Sequence, residues 1–126
     1  MAAWGNNFYG GDTIIGKKGL QGVDKIYSTG KAFAVVLKDG AVVTWGSERY
    51  GGDSSTVRKV LKGVDRICST FGAFAAVLND GTVVTWGNKD HGGDSSSVKE
   101  ELMDIDDIYS TYGAFAAVLQ DSTVVT

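Results

Sequence analysis

Apolar positions in this chain come in short dense runs separated by polar, glycine-rich segments. In the middle of the chain, AFAAVL (73–78) and TVVTW (82–86) are rich in apolar, β-branched and aromatic residues and flank Asn79-Asp80-Gly81. Such a pair predicts a β-hairpin, and Asp-Gly at its tip predicts a turn with positive φ at both central positions. Lys38-Asp39-Gly40 predicts the same, whereas Gln120-Asp121-Ser122 puts serine where glycine is preferred, which predicts modest strain or another turn type. A further strand is expected over 65–70, with Ile67 pointing inward. AFAAVL does not alternate; it is apolar throughout, as expected of a strand buried on both faces.

These hairpins belong to a longer period. Trp4, Trp45 and Trp86 are each followed by glycine and lie 41 residues apart, so residues 4–44, 45–85 and 86–126 align without a gap, with 19 of 41 positions identical in all three. The identities include Trp-Gly, Gly-Gly-Asp (Gly10, Gly11, Asp12 and equivalents), an Ala-Phe-Ala core and the Val-Val-Thr that closes each repeat. A period of this length marks a single repeat domain, 1–126, in which each unit buries its apolar face against a neighbour. Between Trp-Gly and the first strand, GGDSSTVRKVLKGV reads as a tight turn and a short helix, capped by Asp53 or a serine, with Val57, Val60 and Leu61 on one face. In the third copy Ser97 and Glu100 have capping-box spacing, while 13–19 in the first carries two glycines and predicts an irregular loop.

The run V-x-x-I-x-S-T-x-x-A-F-A-A-V-L-x-D-G-x-V-V-T-W-G, at 64–87, resembles the repeats of the regulator of chromosome condensation superfamily of β-propellers. The resemblance covers the whole chain and implies an all-β fold of three propeller-like blades, each with a short helix or turn. It implies no activity, because that fold carries many unrelated functions. The units are short for the family, and GGDSS replaces its glycine-glutamine-leucine-glycine block.

Three blades are fewer than propellers generally close with, and an open array leaves an apolar sheet face at each end. The expected solution is oligomerisation. Repeat one carries five basic and three acidic residues, and repeat three carries two basic and eight acidic. A lysine-bearing end (Lys17, Lys18, Lys25, Lys31) and an acidic end (Glu100, Glu101, Asp104, Asp106, Asp107) are therefore candidate interaction ends, complementary head to tail in a homo-oligomer such as a dimer of three blades each. Met1-Ala2-Ala3 stands where the other copies have Val-Val-Thr, so ring closure would join the C-terminal strand to the sheet holding Trp4. The alternative fold is a three-fold pseudosymmetric β-trefoil or β-prism, which closes within one chain.

Composition narrows the function further. A net charge of −3 and no basic tract argue against nucleic acid, no apolar run approaches the roughly 20 residues that cross a bilayer, and no secretory signal pattern opens the chain. A soluble protein is expected, with nothing to fix its compartment. One histidine, His91, and one cysteine, Cys68, leave too little for a triad or a metal centre. His91 replaces Tyr9 and Tyr50 and reads as a turn-packing side chain; Cys68 replaces Tyr27 and Tyr109 and reads as core. Asp12, Asp53 and Asp94 read as caps or turn anchors rather than calcium ligands, and the tryptophans as core rather than sugar platforms. No enzyme, cofactor or metal is expected. Two functions remain: a structural or protein-interaction module, a partial propeller completed by another chain or a larger assembly; and, as the alternative, a multivalent lectin-like carbohydrate binder with one site per repeat.

Overall fold

The computed structural model describes residues 22–126. They form three antiparallel three-stranded sheets, one per repeat: β1 (Val23–Ser28), β2 (Ala32–Leu37) and β3 (Val42–Gly46); β4 (Val64–Ser69), β5 (Ala73–Leu78) and β6 (Val83–Gly87); β7 (Ile105–Ser110), β8 (Phe115–Leu119) and β9 (Val124–Val125). The described chain is all-β, its helical content is limited to short 3₁₀ turns, and its sheets do not close into a barrel.

Each sheet is a meander with its middle strand paired on both sides, and the registers repeat. Phe33 faces Trp45 across the second ladder as Phe74 faces Trp86. The first strand of every sheet carries the same irregularity, between Val23 and Lys25, Val64 and Arg66, and Ile105 and Asp107, so the recurring aspartates Asp24, Asp65 and Asp106 mark a bulge.

The hairpin tips differ from the expectation. Asp39 and Asp80 do not take positive φ; within each loop only Gly40 (+85°) and Gly81 (+83°) do. The Gly40 N–H donates to the Leu37 carbonyl and the Leu37 N–H to the Ala41 carbonyl, which makes a three-residue loop with left-handed glycine last. The aspartate instead accepts the backbone N–H two residues on, Ala41 to Asp39 at 2.9 Å and Thr82 to Asp80 at 3.0 Å. In the third tip Ser122 adopts φ +72°, the strained geometry expected there.

The connecting helices are also smaller than expected. Residues Ser55–Val57 and Ser96–Glu101 form 3₁₀ turns, preceded by Asp53 and Asp94, whose carboxylates accept the N–H of Ser55 and Ser96 at 2.9 and 3.0 Å. Those two aspartates anchor the turns from the position before the N-cap residues, Ser54 and Ser95, whose own side chains make no capping bond; Asp12 lies outside the described residues. Ser97 sits inside its turn, so the Ser97–Glu100 capping box does not form, and Val60 is exposed while Val57 and Leu61 pack inward. The 3₁₀ turn ends at Val57, so Val60 lies beyond it and is not held on the face that a continuing helix would give it. The loop expected over 13–19 lies outside the described residues.

The core lies between sheets. Ala32, Ala34 and Val36 of β2 pack with Val64 and Ile67 of β4 and with Phe74 and Ala76 of β5. The opposite side of β5, Ala75 and Val77, packs with Ile105 and Ile108 of β7 and Ala117 of β8. The middle sheet is thus covered on both faces, as the unbroken apolar run requires. The two tryptophans described, Trp45 and Trp86, are buried core residues; Trp4 lies outside the described residues.

Candidate interaction faces

The two junctions between sheets use the same contacts, 41 residues apart. The Ser69 hydroxyl donates to the Ser28 carbonyl and the Ser110 hydroxyl to the Ser69 carbonyl, both at 2.8 Å. The Gly30 N–H donates to Phe71 O at 2.7 Å and the Phe71 N–H to Tyr112 O at 2.9 Å. Thr29 and Thr70 donate their hydroxyls to the carbonyls of Tyr50 and His91. In each junction an isoleucine of the later sheet, Ile67 or Ile108, enters the core against the earlier one.

Among the described residues, the outer sheets carry the same residues without the neighbour. Ile26 is 49% exposed, although Ile67 and Ile108 at the equivalent positions are 5% and 8% exposed. Just before β8, Ala114 is exposed, and on β8 Ala116 and Val118 are half-buried, whereas Ala73, Ala75 and Val77 are buried. Tyr109 is 59% exposed and Val124 is exposed on that same sheet; their counterparts Tyr27 and Val42, and Cys68 and Val83, pack against the two cores. Among the described residues, side chains at equivalent positions are buried where another sheet lies beside them and more exposed where none does.

The charged residues expected at the ends fall into distinct places. Lys25, Arg66 and Asp107 occupy equivalent positions on the first strands, and across the second junction Arg66 Nη2 lies 3.3 Å from Asp107 Oδ1. Arg66 also donates to the Asp106 carbonyl and pairs with Asp65 at 2.6 Å. Lys25 is exposed on β1; the Lys31 ammonium lies 4.4 Å from the centre of the Tyr50 ring. Glu100 and Glu101 are exposed at the end of their 3₁₀ turn, and Asp104 precedes β7 with φ +53°, its carbonyl accepting from Gln120. Asp106 is exposed on β7 itself. Lys17 and Lys18 lie outside the described residues.

One feature escaped the sequence reading. Phe71 stacks on Tyr112 with centroids 4.7 Å apart, and Tyr50 and His91 meet Phe71 edge-on at 5.8 Å, so four rings from two repeats cluster at one end of the sheets. His91 is thus a packing side chain, with Nδ1 buried and unbonded, and Cys68 packs against the second core. Recurrent Tyr9/Tyr50/His91 was a visible signal; the partner position holds Gly30, Phe71 and Tyr112, which do not resemble one another.

Four exposed carboxylates titrate below the ordinary aspartate range: Asp80 and Asp121 at hairpin tips, held down by the hydroxyls and then the backbone N–H groups of Thr82 and Thr123, and Asp53 and Asp94, by those of Ser55 and Ser96. All four serve local turns. Among the described residues, no three His, Cys, Asp or Glu side chains come together as a metal-binding group, and no helix is long and apolar enough to cross a membrane. No protein-family model matches the chain, and no curated protein matches it.

Proposed function

We propose that this chain is a non-catalytic protein-interaction module, a partial β-propeller of three blades whose outer faces are completed by further repeats from a second copy in a homo-oligomer or larger assembly. The contrast at equivalent positions carries the reading: Ile26, Ala116 and Val118 are more exposed than residues that are buried elsewhere in the same chain by a neighbouring sheet. Charge supports the order of assembly. At a junction continuing the pattern, Lys25 of the second copy meets Asp107, the second copy's Ser28 hydroxyl meets the Ser110 carbonyl, and the Tyr112 N–H meets the Gly30 carbonyl. Two copies joined head to tail at both ends give a closed six-bladed ring. Sedimentation equilibrium tests it: the expected mass is twice that of the 13.3 kDa chain, and a monomer throughout the micromolar range refutes it.

The lectin-like reading has one observation in its favour, the exposed Tyr112 ring stacked on Phe71. That pair does not recur, since the first repeat has Gly30 there, which weighs against one sugar site per repeat. Binding on a glycan array would restore it.

A further inference from the structure

We propose that a cleft beside β8 is a receptor for the indole of a Trp-Gly strand, and that Trp4-Gly5 of a second copy fills it. The inference rests on the association proposed above and names the contact that holds it together.

The cleft is recognised by what fills its counterpart. Trp86 is buried in a cluster with Ala34, Leu61, Ile67, Phe74 and Ala76. Its ring lies 5.3 Å from that of Phe74 and its Nε1–H donates to the Gly51 carbonyl at 3.1 Å. Moving each of those six partners on by 41 gives Ala75, Leu102, Ile108, Phe115, Ala117 and Gly92. All six line a single cleft of about 270 Å³. The lip is shaped alike in both places: Gly51 (φ +102°) and Gly92 (φ +97°) each lie so close to the phenylalanine ring that a Cβ would stand 2.6 or 2.5 Å from it.

The backbone provides the matching edge. In the middle sheet Ala73 pairs with Gly87 and Phe74 with Trp86, whereas in the last sheet pairing runs only through Val118–Val124 and Ala117–Val125. Ala114 and Phe115 therefore offer the ladder positions that a Trp-Gly pair takes elsewhere, and two residues added there extend the sheet by β-augmentation. A largely apolar cleft that has Gly92, the counterpart of the acceptor Gly51, at its lip selects indole over phenyl, because only the indole N–H can satisfy such a carbonyl.

Trp4-Gly5 supplies the same motif as Trp45-Gly46 and Trp86-Gly87, which end β3 and β6. It also leads into the repeat bearing Lys25, the residue that meets Asp107 when the second copy's first sheet continues the stack. One junction thus seats both the indole and the ion pair.

The test uses the full chain. Trp4→Ala should weaken self-association by roughly thirtyfold or more, the range of a buried aromatic anchor, with far-UV circular dichroism unchanged. Ala117→Leu, which fills the cleft, should do the same. As a probe independent of those folds, the acetylated hexapeptide Trp-Gly-Asn-Asn-Phe-Tyr should shift the amide resonances of Gly92 and Phe115, and its Trp→Ala version should not. A dimer whose association is unchanged by Trp4→Ala overturns the indole contact and leaves the interaction module standing; hexapeptide that leaves Gly92 and Phe115 unmoved also overturns it. A wild-type monomer that still binds the hexapeptide at the cleft upholds the receptor and overturns the association.

Discussion

Truncating Trp86 is the sharpest test of how the sheets hold together. The side chain is 3% exposed, and an aromatic side chain of this class buries about 150–250 Å². At roughly 25 cal/mol per Å² this is worth about 4–6 kcal/mol as an upper bound, and large-to-small core changes of this kind cost about 3–5 kcal/mol. Trp86→Ala should therefore consume much of the roughly 5–15 kcal/mol available to a domain. Trp86→Phe separates two contributions: it keeps a ring against Phe74 and removes the donor to Gly51, leaving that carbonyl unpaired at a cost of about 1–3 kcal/mol. The assay is urea unfolding followed by far-UV circular dichroism, which does not depend on the indole removed. Tyr109→Ala is the control, since that ring is largely exposed in the single chain, and it should cost under about 1 kcal/mol in dilute monomer. If Trp86→Ala unfolds within about 1 kcal/mol of the wild type, the inter-sheet core described above is not what stabilises the protein.

Ser122→Gly should stabilise the chain by about 0.5–1 kcal/mol in the same assay, because Ser122 holds the left-handed φ that Gly40 and Gly81 hold without strain. Acid should destabilise it: Asp53, Asp80, Asp94 and Asp121 have folded pKa values below the unfolded value near 3.9, so their contribution is full above about pH 4 and is lost as pH falls through the lowered values. Thermal melts from pH 7 to pH 2 should fall only at the acid end, and replacing all four with asparagine should flatten that limb. Lys25→Glu should leave the melting temperature of dilute monomer within a degree or two, yet weaken self-association in sedimentation, most clearly at low salt.

The hairpins and the buried middle strand were legible because period and composition act locally: AFAAVL has no polar position to turn outward. Turn geometry was only half legible. Asp-Gly serves a two-residue loop with two left-handed residues and a three-residue loop with one equally well, and the choice is made by Leu37 bonding to Ala41. The short helices were overread because valine and leucine spacing does not say how far a helix runs: the turn stops at Val57, and Val60 beyond it is exposed. The candidate faces were illegible residue by residue. Ala75 and Ala116 are the same residue in the same motif; only the sheet beside one of them makes their surroundings differ. The aromatic cluster was missed for a related reason: it joins positions from two repeats, and Gly30 at its third position hides the pattern.

Because the two junctions repeat the same serine, glycine and threonine hydrogen bonds, the middle repeat can be copied without redesign. A second 45–85 unit inserted between Thr85 and Trp86 stays in frame and would meet the same serine, threonine and backbone partners and the same apolar faces on both sides. Sheet number is therefore an adjustable quantity in this architecture: lengthening changes how many sheets stand between the ends, while the chemistry that the ends present to the outside stays as it was.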